Sequence, residues 1–181
     1  MDKFYNAHPV LSFAFLFVVG IIFIWVKMSI DEKKGENSAE KQKIHEILRQ
    51  KVSCYGQYIP VYAYQRETYG RKSVKSWHYA LGITAEQLYI IPLFISETNI
   101  TVTEMNVIQK SQLGKIDFGT PGGPIYFLKF FDKSGKNIWN ITIEEKNTKL
   151  DASYPVNITQ VKEVRSFIQK LEQWNEEISK A

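Results

Sequence analysis

Between Lys3 and Lys27 the chain runs for twenty-three residues without an Asp, Glu, Lys or Arg. The inner part, Val10 to Val26, is seventeen residues, which at about 1.5 Å per helical residue covers roughly 26 Å. Adding His8, Pro9 and Met28 brings it to the ~30 Å of a bilayer's hydrocarbon core. In lipid each backbone N–H and C=O must find its partner within the segment, so a helix is the only form such a run can take across a membrane. Trp25 sits where an interfacial aromatic belongs. A secretory signal would have a shorter apolar core, about 7 to 15 residues, and small residues at its end. Here Trp25, Val26, Lys27 and Met28 follow instead, so the pattern predicts an uncleaved transmembrane helix over residues 4–29. Lys3 stands alone before it, whereas Lys27, Lys33, Lys34, Lys41 and Lys43 follow. The positive-inside bias then puts the amino terminus outside the cell membrane and the carboxy-terminal domain in the cytoplasm.

About 150 residues remain, enough for one domain with a single core. Aromatic residues make up 14% of the chain and charged residues 23%, a globular composition. The net charge of +4 is mild; it makes no case for nucleic acid and is compatible with an anionic membrane surface. Cys54 is the only cysteine, which excludes an internal disulfide and agrees with a reducing compartment.

After the anchor, Asp31 to Asn37 reads as a charged linker and Asn37 or Ser38 as the cap of an amphipathic helix bearing Ile44, Ile47, Leu48 and Val52 on one face. Residues 30–53 are thus expected to form a linker and a docked helix. Strands are expected over Gln57 to Arg66, Trp77 to Ile83 and Leu88 to Ile95, the last two joined by a four-residue turn. Shorter strands are expected at Ile100 to Val102 and Asn106 to Lys110, and longer ones at Ile125 to Phe131 and Asn137 to Glu144. Leu113 to Pro124, with four glycines and two prolines, reads as a long loop. A phosphate cradle would be closed by Lys and Ser or Thr and followed by a helix, whereas here the next element reads as a strand. Asn157 or Thr159 is expected to cap a final helix carrying Val161, Val164, Ile168, Leu171, Trp174 and Ile178 at three- and four-residue steps.

The stretch from Tyr79 to Ile91, in which Thr84 opens a turn and Leu88 begins the returning strand, resembles the hairpin of bacterial pleckstrin-homology-like (PH-like) domains. Phe127 to Lys136 and the final helix with Trp174 continue the likeness, over about two thirds of the chain. The resemblance implies a mainly-β fold over residues 56–179: seven antiparallel strands in a strongly bent sandwich or barrel, closed by a carboxy-terminal α-helix. A second architecture stays open, a nuclear-transport-factor-like α+β domain outside the cytoplasm, acting as a structural subunit of an envelope or secretion assembly. It would place its helices first and a curved sheet after them.

Chemistry is sparse. His8, His45 and His78 are scattered, Cys54 has no motif around it, and Glu144 with Glu145 reads as a solvated strand end. Neither a metal nor a cofactor is called for, and a binding or scaffold protein is expected rather than an enzyme. The sharpest feature is Arg66 to Lys75, net +3, between the first two expected strands. In PH domains that bind phosphoinositides this loop clamps phosphates, so the resemblance implies that Arg66, Arg71, Lys72 and Lys75 contact anionic lipid headgroups or a protein partner. The spaced Lys and basic-x-Arg pattern of those binders is not reproduced here.

Overall fold

The computed structural model describes residues 9–52, 57–69, 73–96, 99–119, 124–147 and 156–180. It divides into two compact units, residues up to Lys34 and residues from Gly35 onward.

The first unit is a helix, α1 (Pro9–Glu36), whose last residues enter the second. The stretch expected as a linker is therefore helical through Glu36; its Glu and Lys residues are good helix formers, and no proline interrupts it. Large apolar side chains from Phe15 to Val26 are exposed on every face of α1, Phe17 and Trp25 each at 70%. Among the described residues no helix is long and apolar enough to cross a membrane.

The second unit is mainly β. A second helix, α2 (Ala39–Lys51), is capped by Ser38, whose hydroxyl accepts the Lys41 N–H at 3.2 Å. There follow β1 (Ile59–Tyr69), β2 (Ser73–Ile83), β3 (Gln87–Ile95), β4 (Ile100–Val102), β5 (Asn106–Gln109), a 3-10 turn (Lys110–Gln112), β6 (Leu113–Gly119), β7 (Ile125–Asp132), β8 (Asn137–Glu144), β9 (Lys146–Asn147), β10 (Ile158–Thr159) and α3 (Val161–Lys180). The main sheet is antiparallel, in the order β4-β3-β2-β1-β8-β7-β6, with β5 also pairing with β3. β4 and β5 lie along successive parts of β3, so together they act as one strand interrupted at Thr103 to Met105.

Both faces of β1 to β3 are buried. Val61, Ala63, Leu81, Ile83, Leu88 and Ile90 face a core with Leu128, Phe130, Ile141, Ile143 and α3. Tyr62, Tyr64, Ala80, Tyr89, Ile91 and Leu93 face α2, where Ile44, Ile47, Leu48 and Val52 dock. Burial on both faces explains why β3 reads as a near-continuous apolar run rather than an alternating one. From α3, Val164, Phe167, Ile168, Leu171 and Trp174 enter the inner core, each such side chain worth about 1.5–3 kcal/mol or more of burial. The last helix thus packs by one face, as its spacing predicts.

Three expectations change. Leu113 to Gly119 is strand, not loop: Leu113 and Ile116 are buried, and Gly114 lets β6 approach the turn after β7, where a Cβ would lie 2.5 Å from the Asp132 carbonyl oxygen. Neither Asn157 nor Thr159 caps α3, because Ile158 and Thr159 pair with β9 and the cap position falls to Gln160. Glu145 is no solvated strand end. It is buried and takes the Arg165 guanidinium at 2.8 Å, while Glu144 accepts the Tyr64 hydroxyl.

Gln160 has a further role. β1 and β8 share one register pair, Tyr64 with Thr142. Beside it, the Gln160 carboxamide accepts the Tyr62 N–H and donates to the Tyr62 and Glu144 carbonyls, all at 2.8 Å. The side chain is 2% exposed and stands in for a peptide unit between the strands. Gln160→Leu strips partners from three backbone groups. At about 1–3 kcal/mol for each buried group left unmet, it should lower stability by about 3 kcal/mol or more in urea unfolding of the detergent-solubilised chain. A loss below about 1 kcal/mol would mean that the carboxamide does not hold the seam.

Candidate functional site

Of the four basic residues singled out from the sequence, Arg66 and Lys75 do not lie in a loop. β1 and β2 pair without a break from Ile59 opposite Ile83 to Tyr69 opposite Ser73, so Arg66 and Lys75 belong to strands. Arg71 and Lys72 lie outside the described residues. Arg66 stands opposite Ser76, and Lys75 opposite Glu67, one position along the ladder. Neighbouring positions in a strand project to opposite faces, so Arg66 and Lys75 face opposite ways. For Arg66 and Lys75 the loop reading fails because the neighbouring Tyr, Thr, Ser and Val favour strand, and charged residues tolerate an exposed ribbon well.

This ribbon borders an open groove of about 720 Å3. The groove exists because the ladder between β2 and β3 stops at His78 and Leu93, while β3 keeps β5 and then β4 on its other edge. β3 pairs with β2 from Leu88 to Leu93, and from Leu93 onward it pairs with β4. Pro92, one position earlier, has no N–H to give a ladder. Beyond His78, β2 continues back to Ser73 with β1 on one side and, among the described residues, no sheet partner on the other. Trp77, Tyr79, Ile90, Phe94, Ile138 and Trp139 are among the residues that line the gap. Phe94 is 63% exposed and Ile138 42%, whereas Trp139 is held by Tyr79 edge-on at 5.3 Å and by Phe130 at 5.6 Å. Desolvation among these rings raises the Tyr79 phenol above its usual value. Lys75 places its ammonium 4.8 Å over the Trp77 ring at the mouth, a cation–π contact.

His78 lies on the other face of β2, its Nδ1 2.7 Å from the hydroxyl of buried Tyr62, with the two rings stacked. Burial lowers its pKa from 6.5. His45 on α2 is lowered too, by burial and then by Lys41, with Glu163 opposing. Among the described residues no group of three or more His, Cys, Asp or Glu side chains is placed to hold a metal ion. The site offers apolar and aromatic surface beside a strand edge that has no sheet partner among the described residues.

The sequence reading missed this groove. Its residues come from four strands, and only the proline inside β3 signalled that the ladder would open there. No family model matches this sequence, and no curated protein matches it.

The two histidines set a pH dependence of sign opposite to that of a salt-bridged imidazole. Their folded pKa values lie below the unfolded 6.5, so the unfolded chain binds more protons between the two values. Stability should therefore be full above that value and fall as pH drops through it, seen as a lower urea midpoint at about pH 5 than at about pH 7.5. His78→Gln should flatten that slope. An unchanged slope in both His78→Gln and His45→Gln would show that neither imidazole carries it.

Proposed function

We propose that this chain is a single-pass membrane-anchored binding or scaffold module, with a PH-like domain facing the cytoplasm that engages a protein partner or the membrane surface. The observation that carries the reading is the aromatic groove between β2, β3, β5 and β8, an open apolar site on a sheet whose core is filled by α3. Two aspects of architecture favour the PH-like form. With β4 and β5 counted as one interrupted strand, the main sheet has seven strand positions, and the helix that completes its core follows all of them. The rival, nuclear-transport-factor-like envelope subunit would place its principal helices ahead of the sheet.

Anchoring rests on the uncharged run and on the exposed Phe15 to Val26 surface, a patch larger than a protein leaves in water without a partner phase. Tethering localises the domain, so the basic ribbon need only assist. Each Lys or Arg near an anionic leaflet adds about 1 kcal/mol, and the opposite facing of Arg66 and Lys75 favours such diffuse attraction over a headgroup clamp.

Membrane fractions washed with alkaline carbonate should retain the full chain and release a variant lacking residues 4–29. Release of the full chain would overturn the anchor. A membrane-impermeant maleimide should reach Cys54 only after cells are permeabilised; labelling in intact cells would overturn the cytoplasmic assignment.

A further inference from the structure

The groove is more than an apolar hollow, because one of its walls is the open edge of a strand. From Ser73 to Trp77 the backbone of β2 is extended and, among the described residues, paired on one side alone. Five residues at about 3.3 Å each give an edge of roughly 16 Å, the length of a short strand. Next to it lie Trp77 and Phe94 at the mouth and Tyr79, Ile90 and Trp139 deeper in. A strand laid on this edge would send alternate side chains into the groove and the others to the opposite face, where Arg66 projects.

We infer that the groove accepts a β-strand: an extended segment of a partner protein, acidic on one face and aromatic or branched on the other, that pairs with Ser73–Trp77 and buries its apolar side chains between Trp77 and Trp139. Three occupants compete, and the charge and the backbone choose between them. A second copy of this chain would bring one net +3 ribbon against another, and like charges on paired strands repel. A lipid would fill the apolar space but leave the edge N–H and C=O groups without partners. An acidic extended segment meets both demands, since main-chain bonds supply affinity and pockets for alternate side chains supply specificity. The inference rests on the binding-module reading and names the partner class at its site.

The test uses the full chain in detergent micelles and a fluorescein-labelled hexapeptide, Glu-Phe-Glu-Val-Glu-Phe, followed by fluorescence anisotropy. Two N-methylated forms are compared with it, one blocked at the first, third and fifth amides and the other at the second, fourth and sixth. Only one set can face β2. One form should bind about as well as the parent and the other at least about tenfold more weakly, the effect of roughly one lost hydrogen bond. Phe94→Ala should weaken binding by about tenfold; Phe94 is largely exposed, so its truncation leaves the fold intact. Arg66→Glu, on the face that the Glu side chains would reach, should weaken binding and reduce its salt dependence. Equal binding of all three peptides, or no saturable signal with any, would overturn the inference. Vesicles of phosphatidylcholine with phosphatidylglycerol form the second arm. Binding to them that Phe94→Ala abolishes, with no peptide binding, would make the groove a lipid site, overturning this inference while the module reading stands. Binding of neither probe would count against both.

Discussion

Where β1 meets β8 the sheet has one register pair, and the backbone beside it is held by the Gln160 carboxamide. Much of the second unit depends on that residue. Its own N–H is bonded to the Glu145 carbonyl, and its carbonyl accepts the Val164 N–H to start α3. One side chain therefore joins the two halves of the sheet and fixes the start of the helix that fills the core. The neighbours reinforce it. Arg165 one turn on grips Glu145, and Lys41 from α2 reaches both the Thr159 carbonyl at 2.8 Å and Glu163 at 2.6 Å. Partly buried ion pairs of this kind add less through net attraction than through the cost of leaving either partner alone.

The parts of this fold legible in the sequence are those governed by local periodicity. The strands from Leu88, Ile125 and Asn137 stand where β-branched and aromatic residues cluster, and α3 follows its three- and four-residue spacing. The interrupted strand β4 and β5, with a corner at Thr103 to Met105, was also readable. What local pattern could not give is where glycine serves close packing rather than a loop, as at Gly114, or where an acidic pair is buried, as at Glu145. In both, the deciding contact comes from a residue far away in the chain, Asp132 in one and Arg165 in the other.

The same reasoning applies to the site. A run of basic residues is conspicuous in a sequence, yet its value depends on which faces the residues share, and strand alternation separates Arg66 from Lys75. The groove was nearly invisible beforehand because it is a negative feature, made where a ladder stops. Trp77, Phe94 and Trp139 are unremarkable as strand residues until the β2–β3 ladder stops and leaves them lining a gap.

The bond between Tyr62 and Gln160 spans 98 residues. Both strands of the seam precede Gln160 in the chain, yet neither can be fastened to the other at that point until it arrives. The loop to be closed is long, and its entropic cost must be met before the contact yields anything in return. During synthesis, then, the emerging β1–β2–β3 meander has its apolar inner face uncovered for as long as the ribosome takes to reach α3. The length of that exposure is thus set by the position of α3 in the reading order, rather than by the number of strands that come before it.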